Sequence, residues 1–177
     1  LRDKGVVEFV AAARLVRARH PQVRFQLLGA TSAENRTAID VETVKAWQTK
    51  GEIEYLGATN DVRPQIAAAS CIVLPSYREG APRTLIEAAA MARPLIATDV
   101  PGCRAVIDQS VTGLLCEVRS ADSLAAACEA FMALSSKEQA EMGQAGRAKM
   151  AREFGHSIVV DAYRKALDDL SLAPIHP

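Results

Sequence analysis

The sequence predicts an α/β fold: a doubly wound, mostly parallel, Rossmann-like sheet with helices on both faces. Three observations carry this. Short apolar runs alternate with stretches of helical periodicity, joined by short links, which is the pattern of βαβ units. Runs such as CIVL (71–74) and PLIA (94–97) are apolar throughout, as strands buried on both faces must be. The alternation also opens on a helix, whereas a doubly wound sheet opens on a strand. In the order 3-2-1-4-5-6 that first strand is central, and here it is expected to be missing.

The elements follow in order. Val6, Phe9, Val10, Ala13 and Val16 recur at helical spacing, predicting a helix from Val6 to His20 that Pro21 ends. Val23 to Ala30 is a strand closing on Gly29. Ile39 to Thr49 is a helix anchored by Ile39, Val44 and Trp47, with Lys50 and Gly51 as its stop. Glu52 to Ala58 is a strand, and Asp61 is a capping residue for a short helix from Val62 to Ala69. A strand over CIVLPS, a helix from Pro82 to Ala92 and a strand over PLIATD come next. A short helix after Gly102, a strand over GLLCE, and helices over Ala121–Leu134, Lys137–Glu153 and His156–Leu170 complete the chain. The expected division is a Rossmann-like unit over residues 1–154, a terminal helix over 155–172, and a tail over 173–177.

Composition narrows the function. The 177 residues are 49% hydrophobic and 24% charged, as in a soluble domain with a real core. Net charge is zero and the signs are interspersed, so nothing global points to nucleic acid or an anionic membrane. Aromatic residues are too scarce for a surface that stacks single-stranded bases. No run reaches membrane-span length and no signal peptide is visible. Cys71, Cys103, Cys116 and Cys128 form no C-x-x-C pair, and no His stands at metal-ligand spacing. They read as free thiols in a reducing cytoplasm, and Cys103 has no neighbouring His to make it reactive. The opening LRDKG has no Met, so a piece of a larger protein is expected.

The chemistry concentrates in PSYREGAPRTLIEAAAMARPLIATD, Pro75 to Asp99. Ligands of open parallel sheets bind at the carboxyl ends of strands, and the YREGAPRT turn sits at such an end. Gly80 lets backbone approach a ligand, and Pro82 suits the first helical position. The open N–H groups of the next helix then favour phosphate. An ordinary strand-to-helix turn capped by water has the same composition, and these residues alone leave both open. Glu87 lies about one and a half turns into that helix, on the face of Arg83 and Met91. Taken alone it is an i,i+4 partner of Arg83 on a solvated strip. The rival is a carboxylate accepting from a vicinal diol such as a ribose. Glu79, in the anion-binding turn of the same element, shifts the balance to the second.

Glu79, seven residues, then Glu87 resembles the E-x7-E region of the retaining glycosyltransferases of family four, which have two facing Rossmann-like domains (the GT-B fold). PSYREG before the motif, RPLIATDVPGCRAVI after it and TGLLCE beyond extend the likeness, which runs from the KG at the start to MGQAGRAKMAREFG. The chain resembles the carboxyl-terminal, donor-binding domain of such an enzyme.

The resemblance implies a nucleotide-diphospho-sugar donor, most often a UDP-sugar, with no cofactor and no metal. Lys4 matches the Lys that neutralises the diphosphate; by itself, a Lys beside Gly at a helix start is ordinarily just solvated. Glu87 would hold the ribose diol and Glu79 would contact and position the sugar. Gly80, Ala81, Pro82, Arg83 and Thr84 would approach the phosphates, Gly29 would lie near the diphosphate, and the Gly57 loop would flank the base. The implied reaction is sugar transfer with retention, in the assembly of bacterial surface polysaccharide on a polyprenyl-diphosphate carrier. Galactose and N-acetylgalactosamine donors are common there. The implied setting is cytoplasmic, with the whole enzyme at the inner membrane. The acceptor site belongs to an amino-terminal domain, on which the last helix would pack through Ile158, Val159, Ala162, Tyr163, Ala166 and Leu167. Without it the chain is expected to be inactive and able to pair with a second copy.

Departures from the family pattern stand beside the match. The Arg that usually precedes the KG lysine is absent, since Arg2 is too close to Lys4. No second Gly follows Gly29. Arg93 stands at a cap where Gly is common, and Ala105 where an acid often stands. A nucleotide-sugar epimerase of the same fold and a non-catalytic binding module are the alternatives. A dinucleotide oxidoreductase lacks its G-x-G-x-x-G.

Overall fold

The computed structural model describes residues 1–31 and 35–171. A 3₁₀ turn, Arg2–Lys4, passes through Gly5 into α1, Val6–Arg19. Then come β1 (Gln26–Leu27), α2 (Val41–Thr49), β2 (Glu54–Tyr55), α3 (Arg63–Ala68), β3 (Ile72–Leu74) and α4 (Arg83–Ala90). β4 (Leu95–Thr98), α5 (Pro101–Val106), β5 (Gly113–Cys116), α6 (Ala121–Ala133), α7 (Ser136–Glu153) and α8 (His156–Ser171) follow. The α/β alternation is as the sequence predicts, with shorter strands. The tail 173–177 lies outside the described residues, as do the side chains of Val159 and Ala162.

Among the described residues every pairing between strands is parallel, and these strands form two sheets rather than one. β1 pairs with β2, and β3, β4 and β5 form the other in that order. Set side by side as β2-β1 and β3-β4-β5, the strands follow the order 3-2-1-4-5-6 with no described strand at the central position. A central parallel strand supplies the hydrogen bonds that join its two neighbours. Without it β1 and β3 share no ladder, and a cleft of about 1350 Å³ runs between them.

β4 lies between two cores. Ile96 faces Phe9, Val10, Val16 and Leu124 of α1 and α6. Leu95 and Ala97, pointing the other way, meet Leu85, Ala88, Val106 and Met150 of α4, α5 and α7. This two-sided burial is why Leu95, Ile96 and Ala97 are apolar in succession. Local chemistry sets the helix ends. Asp40 caps α2 through the Thr43 N–H at 2.7 Å, and Ser135 with Glu138 forms a capping box on α7. Asp61 accepts the Arg63 N–H at 3.0 Å, although Val62 holds the cap position of α3. α4 begins one residue later than predicted. Pro82 is its cap rather than its first residue, and the Pro82 carbonyl accepts from Leu85 and Ile86. The cap of the α4 C-terminus is also displaced by one: Ala92, not Arg93, takes the left-handed conformation, with φ 57°. On α8, Ile158, Tyr163 and Leu167 are exposed. No helix among the described residues is long and apolar enough to cross a membrane.

Candidate functional site

The turn between β3 and α4 is anchored from three sides before any charged group enters. Beneath it, the Thr98 hydroxyl at the end of β4 donates to the Ser76 carbonyl. Behind it lies the 3₁₀ turn. The Asp3 carbonyl accepts from the Tyr77 N–H at 2.9 Å and from the Ser76 hydroxyl at 3.2 Å. Gly5 makes this docking possible: a Cβ there would sit 1.9 Å from the Pro75 carbonyl oxygen, and its φ of 68° suits only glycine well. On the third side α5 presses Gly102 against the turn. A Cβ on Gly102 would lie 2.4 Å from the Glu79 carbonyl oxygen.

These anchors bring Lys4 and Glu79, 75 positions apart, into an ion pair of 2.6 Å. The Glu79 side chain is 10% exposed and that of Lys4 is 45% exposed. One turn into α4, Arg83 and Glu87 form the i,i+4 pair that the sequence allowed. At 3.5 Å, with Arg83 87% exposed, it is a loose surface contact. Glu87 still lines the cleft, so the pair does not remove its carboxylate from the cavity.

Lys4, Gly29, Glu79, Ala81, Pro82, Arg83, Thr84 and Glu87 all line that one cleft. Gly57 and Gly80 do not. Gly57 acts one step back: it turns with φ 74°, and its carbonyl accepts the Gly29 N–H at 2.8 Å, joining the loops after β1 and β2. At Gly80 a Cβ would meet no protein atom within 4 Å, so packing does not demand glycine there. With Pro82 as the cap, the open N–H donors of α4 are those of Arg83 and Thr84, since donation within the helix begins with the Leu85 and Ile86 N–H groups.

Several positioning residues escaped the sequence reading. Asp3, Ser76 and Thr98 act through backbone carbonyls or a single hydroxyl, which no spacing rule reveals. Tyr55 donates to the Gly29 carbonyl at 2.7 Å and fixes that loop. Tyr77 donates to Glu8 Oε1 at 2.7 Å, with the Arg119 guanidinium 4.6 Å over its ring. Burial, and then Glu8, raise the Tyr77 pKa and keep it a donor. Gly102 carried a signal in its VPG loop, but its contact with Glu79 did not. Cys103, beside it, is fully buried. Burial first, and the Glu79 charge second, push its thiol to about 11, which removes it as a nucleophile. Among the described residues, no three His, Cys, Asp or Glu side chains are grouped to hold a metal ion.

Comparison with known proteins bears on the family and the fold. The family model for glycosyl transferases group 1 matches residues 1–133. A Campylobacter jejuni N,N'-diacetylbacillosaminyl-diphospho-undecaprenol alpha-1,3-N-acetylgalactosaminyltransferase is 28% identical over 93% of this chain and 41% of its own length. A D-inositol 3-phosphate glycosyltransferase from Arthrobacter is 31% identical over 94% of this chain and 41% of its own. The chain thus spans less than half the length of these curated relatives. Among solved structures, Anabaena HepE in complex with UDP superposes with a TM-score of 0.83 at 19% identity, over 96% of this chain and 46% of that one. The C-terminal domain of a Francisella tularensis glycosyl transferase group 1 family protein gives 0.75 at 21% identity, over 88% of this chain and 82% of that domain. These neighbours share the Rossmann-like architecture of the GT-B fold, and the chain belongs to the glycosyl transferases group 1 family.

Proposed function

We propose that this chain is the donor-binding domain of a retaining, family-four glycosyltransferase that takes a UDP-sugar. The observation that carries the reading is the convergence of Lys4, Glu79, Glu87 and the open end of α4 on one cleft at the carboxyl ends of β1 and β3. A nucleoside diphosphate brings negative charge and a vicinal diol. Lys4 and the Arg83 and Thr84 N–H groups match the charge, and Glu87 matches the diol. Gly29 and Gly57 offer backbone rather than side chain beside the diphosphate and base. Glu79 positions the sugar.

In the reaction the bond from the sugar anomeric carbon to the β-phosphate oxygen breaks, and its electron pair leaves with UDP. Lys4 and the α4 N-terminus stabilise that growing charge. The acceptor hydroxyl forms the new bond on the same face and passes its proton to the departing β-phosphate oxygen, so configuration is retained. The acceptor is held by a second domain, on which α8 packs through Ile158 and Tyr163, and the chain alone transfers nothing. The name of the C. jejuni relative supports a lipid-diphosphate-linked acceptor and an N-acetylgalactosamine donor.

The test is a thermal shift with UDP. A ligand that binds only the folded state raises the melting temperature by mass action. The expected result is a UDP-dependent rise that Glu87→Ala largely removes, with no rise for NADH. No UDP shift in the wild-type chain, with or without a strand supplied before Leu1, sinks the donor-site reading. Analysis of products from the whole enzyme separates a transferase, which yields a glycoside and UDP, from an epimerase.

A further inference from the structure

Lys4 already has a carboxylate partner at 2.6 Å, on the ammonium that the donor-site reading assigns to the diphosphate. The two members of the pair are not alike. Glu79 is the fixed one: its carboxylate is 10% exposed, and its own carbonyl is pressed by Gly102. Lys4 is the movable one. Its backbone is held by the contact of Gly5 with Pro75, but its side chain is 45% exposed on a flexible stem. The ammonium can therefore turn to a new anion while the carboxylate stays.

Resting on the donor-site reading, we propose that the Lys4–Glu79 pair discriminates the sugar-bearing donor from the free nucleoside diphosphate. A diphosphate that takes Lys4 strips Glu79 of its counter-ion and leaves a mostly desolvated carboxylate. Such a group is costly until hydrogen-bond donors replace the lost cation. Sugar hydroxyls on the β-phosphate supply those donors. A nucleoside diphosphate with no sugar does not, so Glu79 competes with it for Lys4. The pair thus penalises the spent product and leaves the donor unpenalised. Once the sugar has departed, Glu79 recaptures Lys4 and helps to expel UDP.

The experiment is a double-mutant cycle read as UDP affinity by calorimetry, with Glu79→Gln, Lys4→Met and the double variant. Glu79→Gln keeps the shape and removes the charge. It is expected to bind UDP about fivefold tighter than wild type, the equivalent of a well-formed, partly exposed ion pair. In the Lys4→Met background the same substitution is expected to change UDP affinity far less, because no ammonium remains to be contested. Equal gains in both backgrounds mean simple repulsion between Glu79 and phosphate, and overturn the exchange. Unchanged or weaker UDP binding by Glu79→Gln, with wild type binding UDP, overturns it too while leaving the donor site intact. Wild type that binds no UDP overturns the donor site and the exchange together.

Discussion

Gly102→Ala tests how the site is held in place. A Cβ at this position would lie 2.4 Å from the Glu79 carbonyl oxygen, 2.6 Å from its carbon and 2.7 Å from the Gly80 oxygen. All three are main-chain atoms, so no rotamer change relieves the clash. Moving from 2.4 Å to ordinary contact at 3.4 Å requires α5 and the Glu79 turn to separate by about 1 Å. Overpacking of this kind costs about 1–3 kcal/mol. For a chain of this length the melting temperature should fall by about 2 to 12 °C. Gly80→Ala is the matched control on the same turn. Its Cβ would meet no protein atom within 4 Å, so its melting temperature should stay at or slightly above that of wild type. The ligand readout should follow the same order. Gly80 does not line the cleft, so Gly80→Ala should bind UDP about as wild type does, while Gly102→Ala, which displaces Glu79, should bind it more weakly. The assay is calorimetric melting of wild type and both variants, with and without UDP. A Gly102→Ala protein melting within about 1 °C of wild type, or matching Gly80→Ala, would refute the claim that α5 fixes the turn.

Ala92 holds a left-handed backbone at the end of α4, which costs a residue with a Cβ about 1–2 kcal/mol. Ala92→Gly should therefore raise the melting temperature by about 2–8 °C, measured by calorimetry. Hydrogen bonds from Arg24, and secondarily from Gln26, hold the Glu54 carboxyl down at about 2. A depressed carboxylate adds stability above its ordinary pKa and loses it as pH falls through the folded value. Denaturation curves between about pH 4.5 and 2 should show that loss in wild type, and Arg24→Ala should flatten it. Burial raises the Cys103 and Cys116 thiols to about 11 and Cys128 to about 12. A disulfide-exchange reagent at pH 8 should titrate these three only after denaturant is added, and rapid reaction in the native chain would contradict their burial.

The order of elements was legible because burial writes periodicity into sequence. Leu95, Ile96 and Ala97 are apolar in succession because β4 is covered on both faces, and Phe9, Val10, Ala13 and Val16 recur because one side of α1 faces a core. The break between the two sheets was legible only as an absence at the start of the pattern. The Glu79 and Glu87 pair was visible through its spacing, but the partner that Glu79 takes in this structure was not. Lys4 is 75 positions away, and the contact depends on Gly5 and Gly102 letting three backbones close in. Such approaches leave one glycine each in the sequence, indistinguishable from any other. The one-residue error at Pro82 has a similar origin: the choice between cap and first position rests on ψ, which is 89° here, while proline fixes only φ.

The geometry also explains why the cleft depends on so few contacts. Gly29 and Gly57 sit in the loops after β1 and β2, while Glu79 and Glu87 belong to the turn and helix after β3, and among the described residues no strand pairing joins the halves. α1 and the turn that precedes it span both halves, in the core they share with α6. Phe9 of α1 meets Phe25 edge-on at 5.4 Å, Arg14 pairs with Glu52 at 2.8 Å, and the Arg2 N–H donates to the Thr37 carbonyl at 2.7 Å. The same turn carries Lys4 and docks through Asp3 on the turn that follows β3. One short segment therefore supplies a cation to the cleft and joins its two sides. A ligand spanning Gly29 and Glu87 would add contacts where the sheet has none, so binding should stiffen the link between the sheets more than it alters either one.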